Sequence, residues 1–500
     1  MNTSLPEHRK MAFRIGVNLG DVIEEGGTIY GDGVNIAARL ESMADPGGIC
    51  VSRSAHDQVV DKLDLDFEYL GEHQVKNIER PVRAYRVLLQ TDTDIDQEQS
   101  SSNISDKPSI AVLPFDNLSG DPAQEYFSDG MTEEIISGLS KIPRLRVIAR
   151  NSTFTYKGKP VKTQEVGREL GVGYVLEGSV RKSGDKVRIT AQLAEAESGH
   201  HLWSERWDRE MDDIFALQDE ITMKIMMALQ VKLTEGEQIR IWEEKDRPKN
   251  LEAYELVLQG EEYFSQLTEE GNILARQKFE EALKQDPDYV SAHVLKAWTY
   301  QMDAWMGWSK DPMASFIKAT ELAKHALSLN DSLDTTQALM GIIYLNLREY
   351  DKAEAAVEKA VSLNPSGADV HAWKASVLTA CGRHAEALEA MQRAIRLNPL
   401  PPAWYYVQLG RIYCFYGDYQ EALKYLEKTR ETIPTAGPMA FNLTVAHSLA
   451  GNLDEAKAAA AELIKWYPDF SLDRTVELMP FKNPDDVELI IKAFRKAGLN

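Results

Sequence analysis

The sequence predicts a multidomain fold, α/β in its amino-terminal half and all-α beyond, and three observations lead there. Its 500 residues exceed what one hydrophobic core serves, since domains run to roughly 100–200 residues. Residues 90–107, QTDTDIDQEQSSSNISDK, drop all apolar periodicity in favour of Ser, Asp, Gln and Asn, the composition of a flexible linker. Prolines at 365, 399, 434 and 468 recur at steps of 34, 35 and 34, a period that marks stacked helix pairs.

Each segment reads as follows. Residues 1–89 begin with a strand pattern, RIGVNLG from Arg14, and later carry VNIAARLES, a helical stretch that puts Asn35 and Arg39 on one face at i, i+4. Asp32 stands where a carboxylate caps a helix start. Residues 108–233 give a buried strand (SIAVLPF), a helix from Glu125 to Ser140, a strand (LRVIA), a helix from Thr163 to Leu170, and strands at GYVLEGSV and KVRITAQLAEA. Gly184-Asp185 joins the last two strands, and Trp203 and Trp207 are large enough to anchor a core.

Residues 250–500 repeat themselves. Ala353, Ala387, Ala422 and Ala456 start the second helix of each pair, where a small side chain permits close contact, and Gly382, Gly417 and Gly451 precede them at the turn. Roughly six pairs are expected, folding without help from the rest of the chain. Tyr344, Tyr413, Tyr416 and Tyr419 read as packing residues. An insertion from about Thr299 to Ala314, with Trp298, Trp305 and Trp308 in or beside it, breaks the early period as a lid or a local cap; the stretch from Trp298 to Trp308 reads either as the recognition element or as part of a capped irregular repeat.

Composition excludes several functions. A formal net charge of -22 argues against general affinity for nucleic acid or anionic membrane. Cys50, Cys381 and Cys414 form no CxxC or Cys/His cluster, which offers no zinc site and fits a reducing compartment. No stretch approaches the roughly 18–20 apolar residues of a membrane span. The cytoplasm is the expected location. No catalytic set stands out in residues 108–233.

Phe13 to Arg39, FRIGVNLGDVIEEGGTIYGDGVNIAAR, resembles the second half of a class III adenylate/guanylate cyclase catalytic domain, an α+β unit. The resemblance implies catalytic roles for Asn35, orienting the ribose, and Arg39, donating to α-phosphate oxygens. It implies substrate binding by Arg14 and Lys76 at the triphosphate and by Thr28 at the base, with a lean towards adenine. It also implies ATP as substrate, Mg2+ or Mn2+ as cofactor, and a head-to-tail dimer that shares each site. The family's two metal-binding aspartates lie upstream of the segment matched by Phe13, whereas the leader MNTSLPEHRKMAF holds only Glu7 as an acid. No metal ligand is therefore assigned, and the first strand's apolar edge is expected to lie open. A late start, an upstream frameshift and a true truncation all fit.

IAVLPFDNLSGDPAQEYFSDGMTEEIISGLSKI and YVLEGSVRKSGDKVRITAQLAEAESGHHLWSERWD resemble the TolB amino-terminal-like domain. The repeats resemble tetratricopeptide repeats, which implies a protein or peptide partner in their groove. Two readings follow: an adenylate cyclase-lineage signalling protein, inactive alone for want of the metal-binding half, or a tetratricopeptide scaffold with a vestigial cyclase fragment.

Overall fold

The amino-terminal strands pair in the order β1–β4–β6–β5 in a computed structural model that describes residues 14–19, 23–25, 28–30, 32–44, 48–59, 66–73, 82–88, 107–231, 246, 248–430 and 436–499. The chain divides into two units, Met1–Asn103 and Ile104–Asn500. In the first, β1 (Ile15–Val17) runs parallel to β4 (Ile49–Ser52), and β6 (Val82–Leu88) lies antiparallel between β4 and β5 (Asp66–His73). A separate hairpin joins β2 (Ile23–Glu25) and β3 (Thr28–Tyr30). Leu40 of helix α1 (Asp32–Met43) and Ala44 just beyond it pack against Cys50 and Ala84, while α2 (Arg53–Val59) packs Ala55 with Val51 and Val87. Strand alternation explains the division, because Cys50 and Val51 must point to opposite faces. Among the described residues β1 has a neighbour on one side only, and Ile15 and Val17 are exposed.

In the second unit β7 (Ser109–Val112), β9 (Arg146–Val147), β10 (Tyr174–Ser183), β11 (Lys186–Glu195) and β12 (His201–Glu210) form a sheet in the order β12–β11–β10–β7–β9, with β8 (Asp116–Asn117) also on β10. Helices α3 (Glu125–Ser140), α4 (Arg150–Thr153), α5 (Thr163–Leu170) and α6 (Ile214–Ala228) accompany it. Trp207 is 2% exposed within the core, as its size requires.

Six antiparallel helix pairs follow: α7 (Leu251–Phe264) with α8 (Glu269–Gln285), α9 (Val290–Met306) with α10 (Pro312–Leu329), α11 (Asp334–Asn346) with α12 (Tyr350–Leu363), α13 (Ala368–Ala380) with α14 (His384–Leu397), α15 (Ala403–Tyr416) with α16 (Tyr419–Arg430), and α17 (Ala436–Ala450) with α18 (Leu453–Trp466). Helices α19 (Leu472–Leu478) and α20 (Pro484–Lys496) close the chain. The recurring alanines 353, 387, 422 and 456 are each 0% exposed, and Gly382, Gly417 and Gly451 have φ of 80°, 94° and 87°, a conformation that a Cβ disfavours.

Two expectations change. Residues 299–314 form neither a lid nor a separate cap: α9 and α10 have 17 and 18 residues against 13 and 14 in α11 and α12, and they meet at Gly307. Trp305 lies against Trp298 and Trp373, with ring centroids 6.1 and 6.0 Å apart. Trp373 in turn stacks on Trp298 and on Trp404, both at 4.8 Å, so these rings pack on one another, while Trp305 remains 38% exposed. Among the four tyrosines, Tyr344 and Tyr413 pack on the core, whereas Tyr416 is exposed.

The repeats also do not stand apart from the sheet region. Tyr254 and Leu258 of α7 belong to the same core as Phe127, Met131, Leu217 and Ile221, and Gln218 Nε2 donates to the Tyr254 hydroxyl at 3.2 Å. Further on, Ser366 Oγ donates to Leu145 O at 2.8 Å, Ala149 N to Leu397 O at 2.8 Å, and Ser152 Oγ to Asn398 Oδ1 at 2.6 Å. A fragment beginning at Pro248 leaves Tyr254 and Leu258 facing water, at about 1.5–3 kcal/mol for each large apolar side chain. We expect its thermal midpoint, followed by circular dichroism, to fall below that of residues 104–500. Equal midpoints would show that the shared core adds nothing.

The carboxy-terminal segment turns back over the earlier repeats. Arg348 Nη2 donates to Glu477 O at 2.7 Å, Tyr350 OH to Phe481 O at 3.1 Å, and Lys482 N to Ala380 O at 2.8 Å, while His384 Nε2 meets Asp486 Oδ1 at 3.1 Å.

Candidate active-site helix

Helix α1 owes its position to one stripe of apolar residues and one glycine. Ile36, Leu40 and Met43, at i, i+4 and i+7, join the core beneath the helix. Opposite the middle of the helix lies Gly16 of β1, where a Cβ would fall 2.0 Å from Ala37 O and 2.3 Å from Glu41 N. The strand and the helix can approach this closely only because residue 16 has no side chain. At the end of β1, Asn18 Nδ2 donates to Gly33 O in the first turn of α1 at 3.1 Å, and Ser54 Oγ of α2 donates to Leu19 O at 3.0 Å. The end of β1 is thereby tied to the start of α1 and to α2.

With that stripe facing inward, Asn35 and Arg39 face solvent. Neither side chain has a hydrogen-bond or ion-pair partner among the described residues, and none of these takes up any of the five N–H donors of the Arg39 guanidinium. Arg14, immediately before β1, is exposed as well. Thr28 opens β3, the second strand of the hairpin that leads into α1. Lys76 lies outside the described residues. The arrangement can present an amide and a guanidinium, one helical turn apart, to an anionic ligand docking from outside the unit. The described residues gather no cluster of three His, Cys, Asp or Glu side chains able to hold an ion, so the divalent cation expected from the resemblance finds no donor set among them.

Sequence reading missed Gly16 and Asn18 as positioning residues. The signal was there: a lone glycine inside a strand pattern often marks a close backbone approach.

Among the described residues no helix is long and apolar enough to cross a membrane. Residues 1–88 match the family model of the adenylate and guanylate cyclase catalytic domain, and residues 339–400 and 416–473 match tetratricopeptide-repeat models. Residues 105–224 match the second domain of HilA/YgeH-like transcriptional regulators. A putative adenylate cyclase 3 from Rhizobium meliloti (strain 1021) is 43% identical over 366 residues, 71% of this chain, and the chain spans 61% of that relative's length. An adenylate/guanylate cyclase/hydrolase from Silicibacter pomeroyi is 41% identical over 18% of this chain and 53% of its own, with a TM-score of 0.18. For the middle region, TolB from Acinetobacter baumannii is 19% identical over 25% of this chain and 29% of its own, with a TM-score of 0.20. That likeness is weak.

Proposed function

We propose that this chain, in which part of an adenylate and guanylate cyclase catalytic domain is joined to tetratricopeptide repeats, contributes one half of a composite site that converts ATP to cyclic AMP and pyrophosphate. The supporting observation is the solvent face of α1, where Asn35 and Arg39 stand together without side-chain partners among the described residues. In the reaction the ribose 3'-oxygen forms a bond to the α-phosphorus, the bond from that phosphorus to the pyrophosphate oxygen breaks, and the hydroxyl proton leaves. Asn35 holds the ribose ring in line. Arg39 donates to the α-phosphate oxygens as their charge rearranges, the electrostatic support that such a displacement chiefly needs. Arg14 and Lys76 neutralise the triphosphate, and Thr28 meets the base.

The carboxylates for Mg2+ or Mn2+ come, in this reading, from a second polypeptide, a further copy or a related cyclase domain, docked as a dimer. The exposed apolar edge of β1 is a surface that such a partner covers. Alone, the 500-residue chain is inactive. The repeats place this half-site by holding a protein partner, and the cytoplasm is its location. The alternative reading keeps only that last role, a repeat scaffold with a vestigial cyclase segment.

Mixing decides between them. The chain is assayed with ATP and Mn2+ alone and beside a cyclase catalytic domain that retains its two metal-binding aspartates but has lost its own asparagine and arginine. Cyclic AMP is expected only from the mixture. Turnover by the chain alone, abolished by Arg39→Ala, would refute the half-site, and a silent mixture would favour the scaffold.

A further inference from the structure

The sheet region and the fourth helix pair meet along a seam, and the contacts that hold it fix where three arginines stand. In the turn before α13, Ser366 Oγ donates to Leu145 O at 2.8 Å and Ser366 N donates to Ser140 O at 3.1 Å. A few residues on, Ala149 N donates to Leu397 O, at the end of α14, at 2.8 Å. Arg146 opens β9 between these two attachments, and Arg393 and Arg396 lie on the last turns of α14 at i and i+3. Strand β9 is an edge of its sheet, with no further strand beyond it among the described residues.

None of the three arginines has an ion pair among the described residues. Arg146 Nη2 donates to Gly171 O, but its Nε is buried without a hydrogen-bond partner. Arg146 and Arg393 are half-buried and Arg396 is exposed, so the group opens to solvent at one end. Burial first, and the charge of Arg393 second, hold the Arg146 guanidinium below its ordinary pKa, and the same two causes act on Arg396 in the same order. Among the described residues no carboxylate acts on either. His371, whose Nε2 lies 3.0 Å from Pro365 O, is pushed down to about 4, chiefly by burial and further by Arg393, Lys374 and Arg396. It is therefore neutral at pH 7 and adds no charge. Lys374 has its own partner in Glu358, at 2.8 Å. Arg393 is thus the centre of a group of like charges that no described residue offsets, in a chain of formal net charge -22.

Guanidinium groups drawn partly out of water beside one another destabilise a fold unless an anion sits among them. A carboxylate has two oxygens in one plane and one charge, which a single guanidinium fork satisfies. A phosphate has a tetrahedral spread of oxygens and about two charges, and it suits forks that arrive from two directions, here β9 and α14.

We propose that Arg146, Arg393 and Arg396 form an anion site at this seam, and that its ligand is a small soluble phosphate, free or as a monoester. Seated there, the ligand joins the edge of the sheet to the fourth helix pair, so that binding stabilises the union of the two regions.

The full-length chain is titrated calorimetrically with inorganic phosphate, with glycerol phosphate as a monoester and with acetate, all at one ionic strength, and its melting temperature is followed in each. We expect both phosphates to bind about tenfold or more tightly than acetate, the scale of one further charge-assisted hydrogen bond, and to raise the melting temperature. Whichever of the two binds more tightly identifies the free or the esterified form as the ligand. Arg393→Met and Arg396→Met should each weaken phosphate binding by about tenfold or more. Without phosphate, Arg393→Met should melt at or above the wild-type temperature, because it removes the charge that opposes its two neighbours. Should it melt well below, Arg393 is a structural residue and Arg396→Met alone decides, since Arg396 is exposed and its loss leaves the core intact. Phosphate bound no better than acetate, or unchanged affinity in Arg396→Met, overturns the site. So does an equal loss in Arg474→Met, which replaces an exposed arginine of α19 and would reduce the effect to net charge.

Discussion

Arg39→Ala is expected to lower kcat for cyclic AMP formation by the complemented chain by about a hundredfold or more, the usual scale for removing a preorganised transition-state donor. The expectation depends on two features of α1. Arg39 is exposed and its side chain has no partner among the described residues, so its loss leaves the core untouched and the thermal midpoint should not move. Its proposed contact is with α-phosphate oxygens whose charge changes during attack, so kcat should fall more than KM rises. Arg39→Lys should recover only part of the rate, since an ammonium keeps the charge but not the planar fork. Steady-state rates with ATP, read beside a melting curve, check this. Wild-type kcat in the alanine variant would remove Arg39 from the chemistry.

Gly16→Ala is expected to do as much damage without touching any group proposed to meet the substrate. An added methyl would lie 2.0 Å from Ala37 O and 2.3 Å from Glu41 N, whereas carbon contacts settle near 3.5–4.0 Å. Both obstructing atoms are main chain in the middle of α1, so no rotamer relieves the clash and the helix itself must shift. Overpacking of this kind costs about 1–3 kcal/mol, occasionally more, and a helix displaced by about 1 Å carries Asn35 and Arg39 out of line, which alone can cost about a hundredfold in rate. Hydrogen exchange of the α1 amides should speed up, and complemented activity should fall with it. Native protection together with full activity would show that the strand and helix are not so closely apposed.

Periodic features were legible in the sequence because they are local. The alanines at 353, 387, 422 and 456 and the glycines at 382, 417 and 451 each answer a requirement set within one helix pair, a close crossing or a positive φ, and each lies where the period put it. The helices Glu125–Ser140 and Thr163–Leu170 were legible for the same reason. What remained hidden depends on partners far along the chain. Tyr254 and Leu258 look like ordinary members of a repeat, and nothing near them in sequence says that Met131 and Leu217 complete their core. The tryptophans near 300 suggested an inserted recognition element because Trp373 and Trp404, on which the stack is built, lie 68 and 99 positions beyond Trp305 rather than nearby in sequence. At the candidate site, the pair Asn35 and Arg39 could be read from helical spacing, whereas Gly16 acquires its meaning only once β1 and α1 are brought together.

The returning carboxy-terminal segment alters how the array should come apart. In a solenoid whose units touch only their neighbours, stability is a sum over adjacent pairs, and fraying can advance from either end one repeat at a time. Here Glu477, Phe481, Lys482 and Asp486 grip residues of the third and fourth pairs, and the sheet region grips α7 and the turns at 366 and 398. The last helices cannot peel away without breaking bonds in the middle, and the first cannot loosen without opening the sheet's own core. A one-dimensional chain of units is thereby stitched into a closed loop of dependencies, for which unfolding is a single concerted event rather than an unzipping.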